Sequence, residues 1–302
     1  MIARLQVAVE GSRVVRLSAS PPLGAKVLDG PCGPELVLVG SAASLLEGDR
    51  LVVALELGVG ARLTVRTAAA ALAHPCPGGG STAFDVRVDL AAGARLGWLP
   101  EPLVACAGCR HAGTARVRLA GGAMAVWSET VALGRSGEPP GDVALRFDAD
   151  LDGAALLRDG LRLGPSAPGW DGPAVADGAR HVGTLALLGA AWAGDPLAGS
   201  RTGAGADGDR ARATSARGGA SRTGAGAAAG DGAGDGLVGV LRLAGPGTVV
   251  RALGGDGASV ARRLAGARRA FLAALLGADA SPNRASPTGH IPGEESRQEM
   301  VM

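Results

Sequence analysis

The chain has 302 residues, 47% of them hydrophobic, and a formal net charge of +2. That is ample for a large core and too apolar for a disordered chain, and the near-neutral charge excludes a globally basic nucleic-acid binder. With one Lys (Lys26), one Asn (Asn283), two Ile (Ile2, Ile291), no Tyr and 51 Gly, residues with A/T-rich codons are missing as a class. The excess of Arg is therefore codon usage rather than a nucleic-acid patch, and aromatic stacking platforms are nearly absent.

The opening Met1-Ile2-Ala3-Arg4-Leu5-Gln6-Val7 holds no apolar run behind a basic start, so no secretory signal is expected and the chain is placed in the cytoplasm. Period-two alternation then dominates. Leu5/Val7/Val9, Leu51/Val53/Leu55/Leu57, Leu63/Val65, Ala115/Val117/Leu119 and Val143/Leu145/Phe147 each place large apolar residues at alternate positions. Phe84-Asp85-Val86-Arg87-Val88-Asp89-Leu90 sets four apolar side chains against three charges, the pattern expected of a half-buried antiparallel strand. Gly11-Ser12, Gly58 to Gly60, Gly121-Gly122 and Asp152-Gly153 supply the turns. The expected fold is mainly β: an antiparallel β-rich stack, or β-helical or sandwich-like layers.

The longest apolar stretch, Val182 to Ala193, spans 12 residues. A membrane-spanning helix needs roughly 20, so no membrane segment is expected. From Ala198 to Gly236 nothing is more apolar than Ala, and Ser200 to Ala206 recurs identically as Ser221 to Ala227. Such a composition builds no packed core, so 193–236 reads as a flexible Gly/Ala/Arg-rich insert. Strand-like segments resume at Leu237 to Leu243 and Val249 to Leu253. Val260, Leu264, Ala267, Phe271 and Leu275 then recur at helical steps, a C-terminal amphipathic helix capped by Ser259 and ended by Gly277, its apolar face packed on the sheet. Residues 1–192 and 237–277 are expected to form one β-rich domain, and 278–302 a disordered tail.

Candidate chemistry is sparse. No Gly-x-x-x-x-Gly-Lys-Ser/Thr loop surrounds the single lysine, and no Gly-x-Ser-x-Gly elbow is present. Cys106-Ala107-Gly108-Cys109-Arg110-His111, with His74-Pro75-Cys76 upstream, could gather ligands for a soft or borderline metal, or serve a thiol- or metal-dependent enzyme. Arg110 breaks haem-attachment spacing, and a single Cys-x-x-Cys is a weak zinc signal. The four cysteines, Cys32, Cys76, Cys106 and Cys109, are expected to be free thiols in a reducing compartment. A purely structural β-sandwich binding protein is the other alternative.

Three further motifs stand in order along the chain. They are Gly48-Asp49-Arg50-Leu51; Trp98-Leu99-Pro100-Glu101-Pro102, in which the prolines hold Glu101 in a stiff extended segment; and Glu129 followed by Gly134-Arg135-Ser136-Gly137-Glu138. A turn between Gly134 and Gly137 would return the Arg135 guanidinium to Glu138 or Glu129. The bland reading is a salt bridge at a sheet corner; the sharper one is a surface or internal passage that handles a cation.

In order and spacing these segments resemble the urease accessory protein UreD family, called UreH in some organisms, from about Leu36 to Trp192 and again from Leu237 to the helix. Gly60 to Ala68, Asp152 to Leu163 and Gly169 to Ala174 add weaker similarity. Arg66 and Ser41-Ala42-Ala43 depart from the family pattern, the Glu138 segment is one residue shorter, and the insert has no counterpart. The resemblance implies a β-rich, non-catalytic metallochaperone component that binds apo-urease and UreF, which recruits the GTPase UreG. It implies nickel in transit and no tightly bound cofactor. Asp49, Arg50, Pro100, Glu101, Pro102, Glu129, Gly134, Arg135, Gly137 and Glu138 are then expected to have structural, passage or partner roles, with Glu101, Glu129, Glu138 and Asp49 contributing to the passage or to its partner-bound geometry. No catalytic, cofactor or tight metal site is expected, nor a nucleic-acid or membrane partner.

Overall fold

The computed structural model describes residues 1–192 and 236–277. The strands run in chain order as β1 (Ile2–Glu10), β2 (Arg13–Ala19), β3 (Leu23–Gly30), β4 (Gly33–Gly40), β5 (Arg50–Leu57), β6 (Arg62–Thr67), β7 (Ala71–Ala73), β8 (Thr82–Leu90) and β9 (Arg95–Trp98). They continue as β10 (Leu103–Ala105), β11 (Arg110–Leu119), β12 (Met124–Leu133), β13 (Asp142–Leu151), β14 (Ala154–Leu163), β15 (His181–Leu188), β16 (Val238–Arg242) and β17 (Gly247–Gly254), followed by the helix α1 (Gly257–Leu276).

Two sheets face one another. The seven-stranded sheet has the order β14-β13-β11-β8-β5-β1-β2, and the ten-stranded sheet runs β16-β17-β15-β12-β9-β6-β4-β3, with β10 and β7 attached to it through β12. Between β4 and β13 the chain crosses from one sheet to the other at almost every turn, like a flattened solenoid.

This path corrects one expectation. Phe84–Leu90 lies in β8, whose neighbours β5 and β11 both run parallel to it. The alternation reports that one face is buried and says nothing of strand direction. Direction is decided by where each turn sends the chain. Gly11-Ser12 and Asp152-Gly153 make hairpins within one sheet, β1 to β2 and β13 to β14, both antiparallel. The turns at Gly60, Gly93 and Gly122 instead carry it to the opposite sheet. These glycines have φ of 65°, 70° and 73° and stack: Gly60 N–H donates to Ala92 O at 2.9 Å, and Gly93 N–H to Gly121 O at 3.1 Å. The left-handed φ suits glycine at this corner.

Inward side chains fill the space between the sheets. Leu5, Val7, Val53, Leu55, Val86, Val88 and Val117 from one sheet meet Leu36, Leu63, Val65, Leu96, Trp98, Ala125 and Trp127 from the other. Trp127 is sandwiched, its ring 4.9 Å from Trp98 and 5.1 Å from Phe147.

The helix forms a third layer on the outer face of the ten-stranded sheet. Val260, Leu264, Ala267, Phe271 and Leu275 pack on Leu99, Val126, Leu185, Leu187, Val250 and Ala252. Gly183 permits the approach, because a Cβ there would lie 2.5 Å from Val260. The N-cap is Asp256 rather than Ser259: the Asp256 carboxylate accepts from Ser259 N–H at 2.6 Å, and the Ser259 hydroxyl donates back to Asp256 O at 2.8 Å. Asp256 has the extended backbone that a cap requires, whereas Ser259 already lies within the helical turn. Gly277 ends the helix in the left-handed conformation at φ 74°.

β15, before the expected insert, pairs with β17 after it, so one sheet contains both. The long apolar stretch from Val182 is largely β15, inside that sheet, and among the described residues no helix is long and apolar enough to cross a membrane. The insert, except for its last residue, and the expected tail lie outside the described residues.

Candidate functional site: a polar row between the sheets

In β12, residues of one parity point between the sheets: Ala125, Trp127, Val131 and Leu133 are all buried there. Glu129 shares that parity. Its register partner on β15 is Thr184, whose partner on β17 is Arg251. Arg251 donates from Nε to the Thr184 hydroxyl at 3.2 Å and pairs through Nη2 with Asp159, which belongs to β14 in the opposite sheet. A row of Glu129, Thr184 and Arg251 thus crosses an otherwise apolar interior and is tied to Asp159. Burial pushes the Glu129 carboxyl up to about 7 from the usual 4.5; Arg251 opposes the rise and Asp159 adds to it.

Cavities lie on both sides of this row. One, of about 70 Å³, is lined by Trp98, Pro100, Glu101, His111, Trp127 and Glu129 among others. The second, of about 290 Å³, opens where β14 and β16 edge the two sheets; Asp159 and Arg251 line it beside Leu157, Val175 and Val240.

The Leu99–Pro102 segment forms a rim of the first cavity. Leu99 N–H donates to Val65 O at 2.8 Å, Glu101 N–H to Thr67 Oγ1 at 2.8 Å, and Pro102 O accepts from Ala71 N–H at 3.0 Å. These bonds and the two prolines fix the backbone, and the Glu101 residue is exposed at the rim. His111 is buried, with Nδ1 2.8 Å from the Thr82 hydroxyl. Burial holds its pKa down to about 4, so the ring is neutral at physiological pH.

The other motif residues lie elsewhere. Asp49 is buried and joins the chain start to a turn: its Oδ1 accepts from the Met1 amino group at 3.1 Å and its Oδ2 from Leu46 N–H at 3.1 Å. Arg50 pairs with Asp85 on the adjacent strand. Gly134 and Gly137 have φ of 84° and 77°, and the turn they make returns Arg135 to Glu138, with Nε to Oε1 at 2.7 Å. Glu129 takes no part in that ion pair. Hydrogen bonds from the Arg135 side chain and backbone hold the Glu138 carboxyl down to about 2. Glu138 also accepts from Ala107 N–H at 3.4 Å and so fastens the cysteine turn.

All four cysteines are free, and Cys76, Cys106 and Cys109 are buried. Cys109 N–H donates to Cys106 O at 3.0 Å, and Cys76 N–H to Gly108 O at 3.0 Å, so the three share one knot. Burial, reinforced by the neighbouring Cys106, Cys76 and Asp142, pushes the Cys109 thiol up to about 12. A thiol so placed is neutral and a poor nucleophile. His111 does not complete this knot; it faces the cavity. Among the described residues no group of three or more His, Cys, Asp or Glu is arranged to hold a metal.

Sequence reasoning located Glu101 and Glu129 but missed Thr184, Arg251 and Asp159. The available signal was parity: Arg251 occupies the inward position between Val249 and Leu253.

The model of the UreD urease accessory protein family matches residues 2–287. A urease accessory protein UreD of Parafrankia sp. is 34% identical over 87% of this chain and 85% of its own length. That of Frankia alni is 36% identical over 84% of this chain and 80% of its own. That of Streptomyces avermitilis is 42% identical over 51% and 61%. With the family model matched along nearly its whole length, this chain belongs to the UreD family of urease accessory proteins, a family of maturation factors rather than catalysts.

Proposed function

We propose that this chain is a non-catalytic scaffold for nickel incorporation into apo-urease, that it binds urease together with the accessory proteins UreF and UreG, and that nickel travels between its two sheets. The observation that carries the reading is the polar row of Glu129, Thr184, Arg251 and Asp159, with a cavity on each side. Desolvation of Glu129 at the inner end of this row opposes stability and calls for another use, while Arg251 and Asp159 stay partly exposed at the second cavity.

Its chemistry suits the cargo. With Glu129 ionised, the charges of Glu129, Arg251 and Asp159 sum to one negative charge, and Glu101 and the neutral His111 supply an oxygen and a nitrogen donor at the first cavity. A borderline divalent ion binds carboxylate, imidazole and water, and a spaced set of donors lets it leave again, where a thiolate cage would trap it. A Glu129 carboxyl poised at about 7 can exchange its proton for the passing ion near neutral pH. Asp49 and Glu138, engaged by Met1 and Arg135, serve the framework instead. The work is assigned to the cytoplasm, with nucleotide hydrolysis left to UreG.

The test is the nickel content and ureolytic rate of cognate urease co-expressed with its other accessory proteins and with no chain, the wild-type chain, or Glu129→Gln. Nickel-poor, inactive urease rescued by wild type and poorly by Glu129→Gln is the expected result. Equal nickel without the chain would overturn the scaffold; full rescue by Glu129→Gln would overturn the route.

A further inference from the structure

The guanidinium of Arg251 stands where a small cation would bind. Its Nε donates to the Thr184 hydroxyl at 3.2 Å and its Nη2 pairs with the Asp159 carboxylate, so it is held by one oxygen from each sheet. Asp159 points inward, being the register partner of the buried Phe147. Glu129, next in the row beyond Thr184, is the third oxygen-bearing group, and Arg251 and Asp159 are the two charges that act on it.

This pair is unlike those on the surface. Arg16–Glu56, Arg50–Asp85, Arg118–Asp89 and Arg146–Asp148 each lie within the seven-stranded sheet, with arginine side chains between 51% and 75% exposed. Arg251 is 31% exposed and joins β17 of one sheet to β14 of the other. Its stem is long and flexible, and the second cavity, of about 290 Å³, lies beside it with walls that include Leu157, Val175 and Val240. The guanidinium therefore has room to withdraw without either sheet coming apart. What it would leave behind is two carboxylates and a hydroxyl, a hard oxygen set that water completes around a divalent ion. With both carboxylates ionised, such an ion in place of the guanidinium makes the site neutral, which a monovalent ion does not.

We propose that Arg251 is a tethered counter-cation of the passage: its guanidinium fills the Asp159–Thr184 oxygen site, withdraws into the second cavity when a divalent ion arrives, and competes for the same oxygens to release it. Arg251 is thus a positioning residue that keeps the row from becoming a trap, since an uncompensated pair of carboxylates in a low-dielectric interior would hold a divalent ion strongly. The inference rests on the route proposed above, and the two fail separately: the route is judged by urease activation with Glu129→Gln, the exchange by metal bound to the chain itself.

The experiment is equilibrium dialysis of the full chain against nickel chloride, at a pH where Glu129 is ionised, for wild type, Arg251→Lys, Arg251→Met and Arg251→Met/Asp159→Asn. Arg251→Met keeps the apolar stem and removes the charge; Arg251→Gln is measured beside it, so that a folding failure of one neutral variant does not decide the result. Expected is one ion per chain held at least about tenfold more tightly by the neutral variants than by wild type. Arg251→Lys, which retains a tethered charge, should bind as wild type does, and the gain should vanish in Arg251→Met/Asp159→Asn. In co-expression, nickel delivered to urease should fall with Arg251→Met and be restored by Arg251→Lys. A merely structural role for Arg251 would lower stability and leave nickel affinity unmoved. No gain in the neutral variants, or a gain that survives loss of the Asp159 carboxylate, would overturn the exchange and leave the function standing; so would full urease activation by Arg251→Met.

Discussion

His111 and Thr82 are register partners on adjacent parallel strands, and the imidazole Nδ1 lies 2.8 Å from the threonine hydroxyl. This contact fixes the ring in a wall of the first cavity.

The pH dependence of stability follows from this placement. His111 titrates at about 4 when folded, below its usual 6.5, so the unfolded chain takes up the proton first. Its contribution is fully present above 6.5 and is lost as pH falls from 6.5 through about 4. Thermal melts between pH 7 and 4 should show a fall in melting temperature that is flatter in His111→Gln. A parallel fall in both would show that His111 is not the buried base.

Glu129 acts with the opposite sign. Its folded value of about 7 lies above the usual 4.5, so the folded chain holds the proton more tightly. Stability is fully present below 4.5 and is lost as pH rises through 7. Glu129→Gln should melt higher than wild type at pH 8, by the equivalent of about 1–2 kcal/mol, with the difference vanishing near pH 4.5. If urease activation falls in the same variant, the buried charge is kept for use rather than for stability.

Removing Phe271, which is fully buried against the outer face of the ten-stranded sheet, should be severe. Phe271→Ala is expected to destabilise by about 3–5 kcal/mol in denaturant unfolding. A loss below about 1 kcal/mol would mean that the helix is not docked as described.

At the other end of the helix, Asp256→Ala should lower the melting temperature, since it removes the carboxylate that accepts from Ser259 N–H. Ser259→Ala removes only a hydroxyl donating to Asp256 O and should cost less. The reverse order would make Ser259 the cap.

Asp49→Ala should loosen the chain start, because the carboxylate accepts from both the Met1 amino group and Leu46 N–H. Hydrogen exchange of β1 and of the turn before β5 should quicken, with slower exchange retained around Glu129. Unchanged exchange at β1 would remove Asp49 from the framework.

The sequence by itself determined the β character, the inward parity of each strand and the face of the helix that is buried. These follow from solvent and from side-chain periods of two and 3.6, which act locally. It also carried the family, because Gly-Asp-Arg-Leu, Pro-Glu-Pro and the Gly-Arg turn hold their order along the chain. Only the tertiary structure decided which strands are parallel, since Gly60 and Gly122 send the chain across to the other sheet while Gly11 and Gly153 turn it back, and all four have positive φ. Only the tertiary structure brought Arg251 and Asp159 to Glu129, over separations of 122 and 30 residues (251−129 and 159−129). A charged residue at an inward position can be read from local pattern. Its partner is chosen by sheet order and register, which depend on every turn between them.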